Sequence, residues 1–108
     1  MQIAGIFKAL GEPVRLRLFS LLTMQDELCV CHLTEALGLP QSTVSRQLGV
    51  LRHAGLVSPR RQGKWMYYRL AEQVPESLTE LVLHCAQKDQ LLQKDRERLI
   101  QALSSQPV

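Results

Sequence analysis

Cys29 and Cys31 stand two positions apart in the run Glu27-Leu28-Cys29-Val30-Cys31-His32-Leu33. Two thiols at that spacing suit one task well, which is holding a soft ion in preference to magnesium or calcium. The thiolate is the ligand form, and a place at a helix start favours it. On a regular helix, residues two apart point to nearly opposite sides. Both sulfurs can therefore grip one ion only where the backbone is bent or not yet helical. The third cysteine, Cys85, lies far along the chain. Residues Met1 to Leu10 show neither a basic n-region nor a small-residue cleavage site, so the expected compartment is the cytoplasm. Three cysteines in that setting point to thiols, ligands or redox groups rather than a disulfide framework.

A second group of residues suits a polyanion. The net charge is only +3, yet the stretch from Ala36 to Ala71 contains no Asp or Glu. It carries Arg46, Arg52, Arg60, Arg61, Lys64 and Arg69, leaving seven bases against ten acids elsewhere. Such an acid-free basic stretch is the footprint of a nucleic-acid partner. A solvated face is the ordinary explanation of a charge run, but here the run coincides with a motif.

The elements that must position these groups follow from periodicity and punctuation. At 108 residues the chain is one domain. Aromatic residues are 5%, so leucine, valine and isoleucine must build the core. No apolar run approaches the roughly 20 residues of a membrane helix, and no membrane partner is expected. Ile3, Ile6, Phe7 and Leu10 predict a short amphipathic helix, broken at Gly11-Glu12-Pro13. Pro13 suits the first turn of a second helix, continued by Val14, Leu18, Leu21 and Leu22. Met24 to Leu28 reads as a polar connection. Val30, Leu33 and Leu37 predict a third helix ended by Gly38. A fourth runs from Gln41 to Ala54 with Val44, Leu48 and Leu51 inward. Leu56 to Arg60 and Lys64 to Leu70 then read as two strands around a Gln62-Gly63 turn. A long last helix is expected from about Glu76 to about Leu103, with Leu78, Cys85, Leu92 and Leu99 on a seven-residue stripe. On that stripe Cys85 reads as a small core residue. Ser104 to Val108 reads as a frayed tail.

The expected fold class is therefore mainly α with a small β-hairpin (α+β), a winged helix-turn-helix over residues 1–108. The helix-turn-helix occupies about 30–54, the wing about 56–70 and a dimerisation helix about 76–103. An apolar helix at each end predicts a homodimer through the first and last helices. On the fourth helix Ser42, Arg46 and His53 point away from the buried stripe, flanked by Thr43 and Ser45. That end enters the major groove, where arginine can pair with guanine and the hydroxyls can reach bases or phosphates. The wing, Arg60-Arg61-Gln62-Gly63-Lys64, suits backbone or minor-groove contact, so Arg61, Gln62 and Lys64 join the candidate DNA-binding set.

Three stretches carry a family resemblance: Glu27 to Cys31, Gln41 to Leu48 through Leu51-Arg52, and Arg61-Gln62-Gly63-Lys64-Trp65 with Tyr68-Arg69-Leu70. Through them the chain resembles the ArsR/SmtB family of metal- and metalloid-responsive repressors, over nearly its whole length. The resemblance implies a homodimer that binds double-stranded operator DNA without a cofactor and represses its own resistance operon until an inducer arrives. It implies that Gln41, Ser42, Ser45 and Arg46 face DNA. The Cys-Val-Cys element resembles the arsenic-responsive branch, with arsenite or antimonite as the trivalent metalloid ion held by Cys29 and Cys31. Closing that chelate would distort the first helix of the motif and change the half-site spacing of the dimer.

Departures from the family pattern are specific. Pro40 stands where a serine often caps the recognition helix, and proline has no side chain to do so. Thr34 stands where the fullest arsenic motif has a third cysteine, leaving that ligand to Cys85, water, a small thiol, or to two sulfurs sufficing. His32 stands where an acid is common. Glu80 and His84 sit four apart, half of a zinc pattern that is otherwise unmatched. Two other functions compete. One keeps DNA binding but makes the thiols a redox or persulfide switch, which calls for Cys85 to approach the pair. The other is a protein-binding winged helix with inert cysteines. An enzyme is not expected, because no base is positioned for a nucleophile and no phosphate-binding loop is present.

Overall fold

The computed structural model describes residues 2–105, and its helix ends fall where the chain's punctuation puts them. In order, the elements are α1 (Ile3–Leu10), α2 (Pro13–Leu22), β1 (Leu28–Cys29), α3 (Val30–Leu37), α4 (Gln41–His53), β2 (Val57–Gln62), β3 (Trp65–Leu70), α5 (Glu76–Ala86) and α6 (Gln90–Ser105). Pro13 opens α2, where its missing N–H costs nothing, and the Glu12 carboxylate accepts from the Arg15 N–H at 2.9 Å. Gly38 closes α3 at φ +67°, a left-handed conformation that glycine adopts without strain, and the chain turns there into α4. α3 and α4 thus form the helix-turn-helix. The strands make one antiparallel sheet in the order β1-β3-β2.

The core is leucine-built, as the low aromatic content requires. Leu18, Leu21, Leu33, Leu48, Leu51, Leu56 and Leu99 are fully buried with Phe19. Each such leucine contributes about 1.5–3 kcal/mol by leaving water. α6 lies along α3, so the C-terminal helix backs the first helix of the DNA-reading motif. One buried ion pair locks this arrangement. Arg17 on α2 grips both carboxylate oxygens of Asp95 on α6 at 2.8 and 2.9 Å, and donates to the Leu37 carbonyl at 3.2 Å. Asp95 is 1% exposed. The hydrogen bond to Asp95 holds the Arg17 guanidinium above its usual range. Elsewhere Arg15 donates to the Gln47 side chain at 2.8 Å, tying α2 to α4.

Four expectations are corrected. The last helix is two helices, not one over 76–103. Asp89 caps α6 by accepting from the Leu92 N–H at 3.1 Å, and Gln93 donates to the Ala86 carbonyl at 2.7 Å, so both chain ends at the break are satisfied. The seven-residue stripe therefore does not run through: Leu92 and Leu99 are buried, Leu78 is half-buried and Cys85 is exposed. Cys85 is not a core residue. Met24 to Leu28 is not wholly a polar connection, because Leu28 is buried and pairs with Tyr68 in the sheet. Finally, the hairpin turn lies one residue later than expected. Gln62 pairs with Trp65, so Gly63-Lys64 is the turn, with Gly63 at φ +60° in its first central position. The expectation of a frayed tail falls partly outside the described residues, since Ser104 and Ser105 close α6.

Candidate functional site

The start of α3 explains how two cysteines at a spacing unsuited to a helix can meet. Leu28 and Cys29 are extended because they pair with Tyr68 and Tyr67 of β3. Cys29 has φ −69° and ψ 142°, and its own residue is the N-cap of α3, while Cys31 lies in the first helical turn. The strand-to-helix bend falls between the two side chains, which is the condition the spacing demanded. Their Cα atoms are 5.2 Å apart and the sulfurs are joined as a disulfide. Cys29 Sγ also accepts from the Cys31 N–H at 3.2 Å, satisfying an orphan amide of the helix start. Cys29 is 2% exposed and Cys31 is half-buried.

On α4, Gln41, Ser42, Ser45 and Arg46 are exposed, Thr43 is half-buried, and Val44, Leu48 and Leu51 are buried beneath them. Pro40 provides no side-chain cap, and no other side chain takes that place. The first-turn amides of α4 are thus free of a capping side chain on the face that carries Ser42 and Arg46. Arg61, Gln62 and Lys64 are exposed at the end of the wing. His53 is exposed at the last turn of α4.

A cleft of about 370 Å³ joins these parts. Cys29 and Cys31 form one side, Gln41 and Ser45 of α4 another, and Lys64 and Trp65 of the wing close it. No sequence pattern placed Trp65 beside the thiols, since Trp65 lies 34 positions beyond Cys31 and meets the pair only through the β1–β3 pairing. Lys64 Nζ stands 5.3 Å over the Trp65 ring.

The acid-free basic stretch is less uniform in three dimensions than along the chain. Arg60 is paired with Glu27, its Nε donating to Oε2 at 2.8 Å, and it stacks 4.8 Å over the Tyr67 ring. The Arg60 hydrogen bond holds the Glu27 carboxyl below its ordinary range. Glu27 directly precedes the thiol strand, so this pair fastens that strand to β2 of the wing. Arg69 lies 3.7 Å from Glu72. Arg46, Arg52, Arg61 and Lys64 make up the rest of the stretch, all exposed. Sequence reasoning missed the Glu27 contact because nothing local marks a partner 33 positions away.

Among the described residues no group of three His, Cys, Asp or Glu side chains is placed to hold an ion. Cys85 is exposed on α5, and Glu80 and His84 are exposed on the same helix. His32 is buried. No described helix is long and apolar enough to cross a membrane.

Comparison with known proteins adds three kinds of likeness. The profile of bacterial regulatory proteins of the arsR family matches residues 12–58. The arsenic resistance transcriptional regulator ArsR1 of Pseudomonas putida is 48% identical over 71 residues, 66% of this chain, and the match spans 56% of that regulator's own length. Its namesake ArsR2 is 35% identical over 95% of this chain and 90% of its own. Among solved structures, the transcriptional repressor BigR from Xylella fastidiosa superposes with a TM-score of 0.68 at 37% identity, covering 80% of this chain and 84% of that one. All are regulators and none is an enzyme.

Proposed function

We infer from membership of the arsR family of bacterial regulatory proteins, to which this chain belongs, that it is a DNA-binding transcriptional repressor released from its operator by a trivalent metalloid on Cys29 and Cys31. The observation that carries this reading is the shared cleft, where the thiols, the start of α4 and the wing are walls of one cavity. Arsenic or antimony bridging both sulfurs fixes the angle between β1 and α3. β1 is paired with β3 of the wing, and α3 packs on α4. A change at the chelate therefore alters how the recognition helix and wing sit relative to each other. The ion favours the conformer with the wrong spacing, and the DNA-competent population falls. The printed names of the Pseudomonas relatives, arsenic resistance regulators, support arsenic as the inducer.

DNA binding rests on Gln41, Ser42, Thr43, Ser45 and Arg46 in the major groove and on Arg61, Gln62 and Lys64 against the backbone. Titrating labelled upstream DNA at several salt concentrations tests it. Arg46→Ala will weaken binding by about 1–3 kcal/mol and relax preference for one base pair, as loss of a bidentate base contact does. Lys64→Ala will weaken all sequences alike and lower the salt slope by about one. No DNA binding at low salt would leave a protein-binding module in its place.

A homodimer belongs to the same reading, because operators with two half-sites need two recognition helices. Ile3 and Phe7 of α1 share one helix face at 71% and 58% exposure, and Ile100 of α6 is also exposed. Apolar side chains left this bare call for a covering surface. Sedimentation at micromolar concentration will give twice the chain mass of 12.3 kDa, and Phe7→Glu will return it to the single mass.

A redox switch is the second reading, supported by the bonded state of the pair. The redox switch expected from the sequence calls on Cys85, but Cys85 is free and exposed on α5, so this version involves Cys29 and Cys31 alone. An oxidant would then release DNA where arsenite does not.

A further inference from the structure

We propose that Glu27 and Arg60 are positioning residues for DNA binding, which together hold the Gln62 side chain with its amide NH2 outward, toward a phosphate oxygen of the operator backbone. The proposal rests on the reading that Gln62 of the wing meets that backbone.

Strand register brings the three side chains together. Cys29 of β1 and Arg60 of β2 both pair with Tyr67 of the central strand, so Cys29, Tyr67 and Arg60 form one row across the sheet. Directly paired residues carry their side chains on one face, and a strand returns to that face every second residue. Gln62 therefore shares the face of Arg60, and Glu27 reaches it from the segment that leads into β1. Arg60 spans the gap with its fork of donors. Nε and one terminal nitrogen grip the two Glu27 carboxylate oxygens, the Nε contact at 2.8 Å. The other terminal nitrogen donates to Gln62 Oε1 at 2.8 Å, and the Tyr67 ring lies 4.8 Å from the guanidinium carbon. Exposed ion pairs contribute little as a rule, but a bidentate guanidinium–carboxylate pair adds geometric specificity. Three hydrogen bonds and a ring face on one planar group fix its orientation.

That orientation decides which end of Gln62 is left for a partner. A guanidinium has donors only, so the Gln62 atom it meets must be the carbonyl oxygen. The amide is planar, and holding Oε1 on Arg60 directs Nε2 and its two donors the other way. Among the described residues nothing accepts from Nε2. A DNA phosphate oxygen is an acceptor, so only the donor end of the amide can meet it. Without Glu27 the guanidinium loses the partner that fixes it, and the amide is free to turn its oxygen toward the phosphate. Charge alone predicts the opposite. Glu27→Gln removes a negative charge beside the wing and releases Arg60, which by counterion release would tighten DNA binding.

The test titrates labelled upstream DNA with the reduced full chain as wild type, Glu27→Gln, Gln62→Ala and the two changes combined, each checked for fold by circular dichroism. Gln62→Ala should weaken binding by about three- to tenfold, the net loss of one hydrogen bond. Glu27→Gln should weaken it by a similar factor, against the direction of charge. The double variant should bind no more weakly than Gln62→Ala, because Glu27 acts only through Gln62. Arg60→Lys keeps the charge but not the fork, so it should weaken binding as Glu27→Gln does while the salt slope stays at the wild-type value. Wild-type or tighter binding by Glu27→Gln, or losses that multiply in the double variant, overturns the proposal, and weakened binding by Gln62→Ala then keeps the wing reading. Full affinity in Gln62→Ala overturns both.

Discussion

Exchanging Cys31 for serine will uncouple DNA release from arsenite. In the reduced wild type, saturating arsenite is expected to raise the DNA dissociation constant by about 5- to 150-fold, the range of ordinary coupling free energies of about 1–3 kcal/mol. In Cys31→Ser that factor should fall to one. Serine keeps the size of the side chain, and its oxygen is a poor ligand for a soft centre. Cys31 is half-buried in the first turn of α3, and its own N–H is what caps onto Cys29, so the helix start survives the change. Cys29→Ser should behave alike, because serine is itself a good N-cap. Anisotropy titrations with and without arsenite measure this, the affinity without arsenite serving as each variant's own reference. Release that persists in both variants would remove the pair from the sensor and send the search elsewhere.

Asp95→Ala will unfold more of the molecule than any surface change. Removing one partner of a buried ion pair leaves an uncompensated charge and costs about 3–5 kcal/mol. Here the guanidinium of Arg17 would be stranded among α2, α3 and α6. Against a total stability of about 5–15 kcal/mol that is a large share. At about 4–8 °C per kcal/mol for a domain near this size, the melting temperature should drop by tens of degrees. Replacing both members, Arg17→Met with Asp95→Leu, should recover much of the loss, since a buried pair contributes little over a well-packed apolar substitute. Urea denaturation of the wild type, the single and the double variants decides this. A single variant that costs under about 1 kcal/mol would mean the pair is solvated in solution. Because Arg17 also holds the Leu37 carbonyl at the end of α3, the single variant should lose DNA affinity before it loses its fold.

Much of the fold was legible along the chain, because its signals are local. Pro13, Gly38 and the Val44-Leu48-Leu51 spacing act within a few residues of themselves, and they placed α2, the turn and α4 correctly. The break at 87–89 was also written locally, in Asp89 as an N-cap. A seven-residue stripe through Leu78, Cys85, Leu92 and Leu99 outweighed it, since periodicity persists across a break that keeps the same phase. The hairpin was recognised, but its turn was set one residue early, because either Gln62-Gly63 or Gly63-Lys64 satisfies the glycine requirement and strand register chooses between them.

The candidate site divides the same way. The identities of Cys29 and Cys31, the exposed face of α4 and the basic wing follow from residue type and spacing alone, which is all that ligand chemistry and helix geometry need. Nothing along the chain could place Trp65 against the thiols, pair Arg60 with Glu27, or bury Asp95 on Arg17. Those are contacts between residues 33 to 78 positions apart. They exist because Leu28 and Cys29 join β3 as a third strand, and because α6 folds back along α3. Both events are collective burials of apolar surface, and no short window of sequence records which distant partner a buried surface will meet.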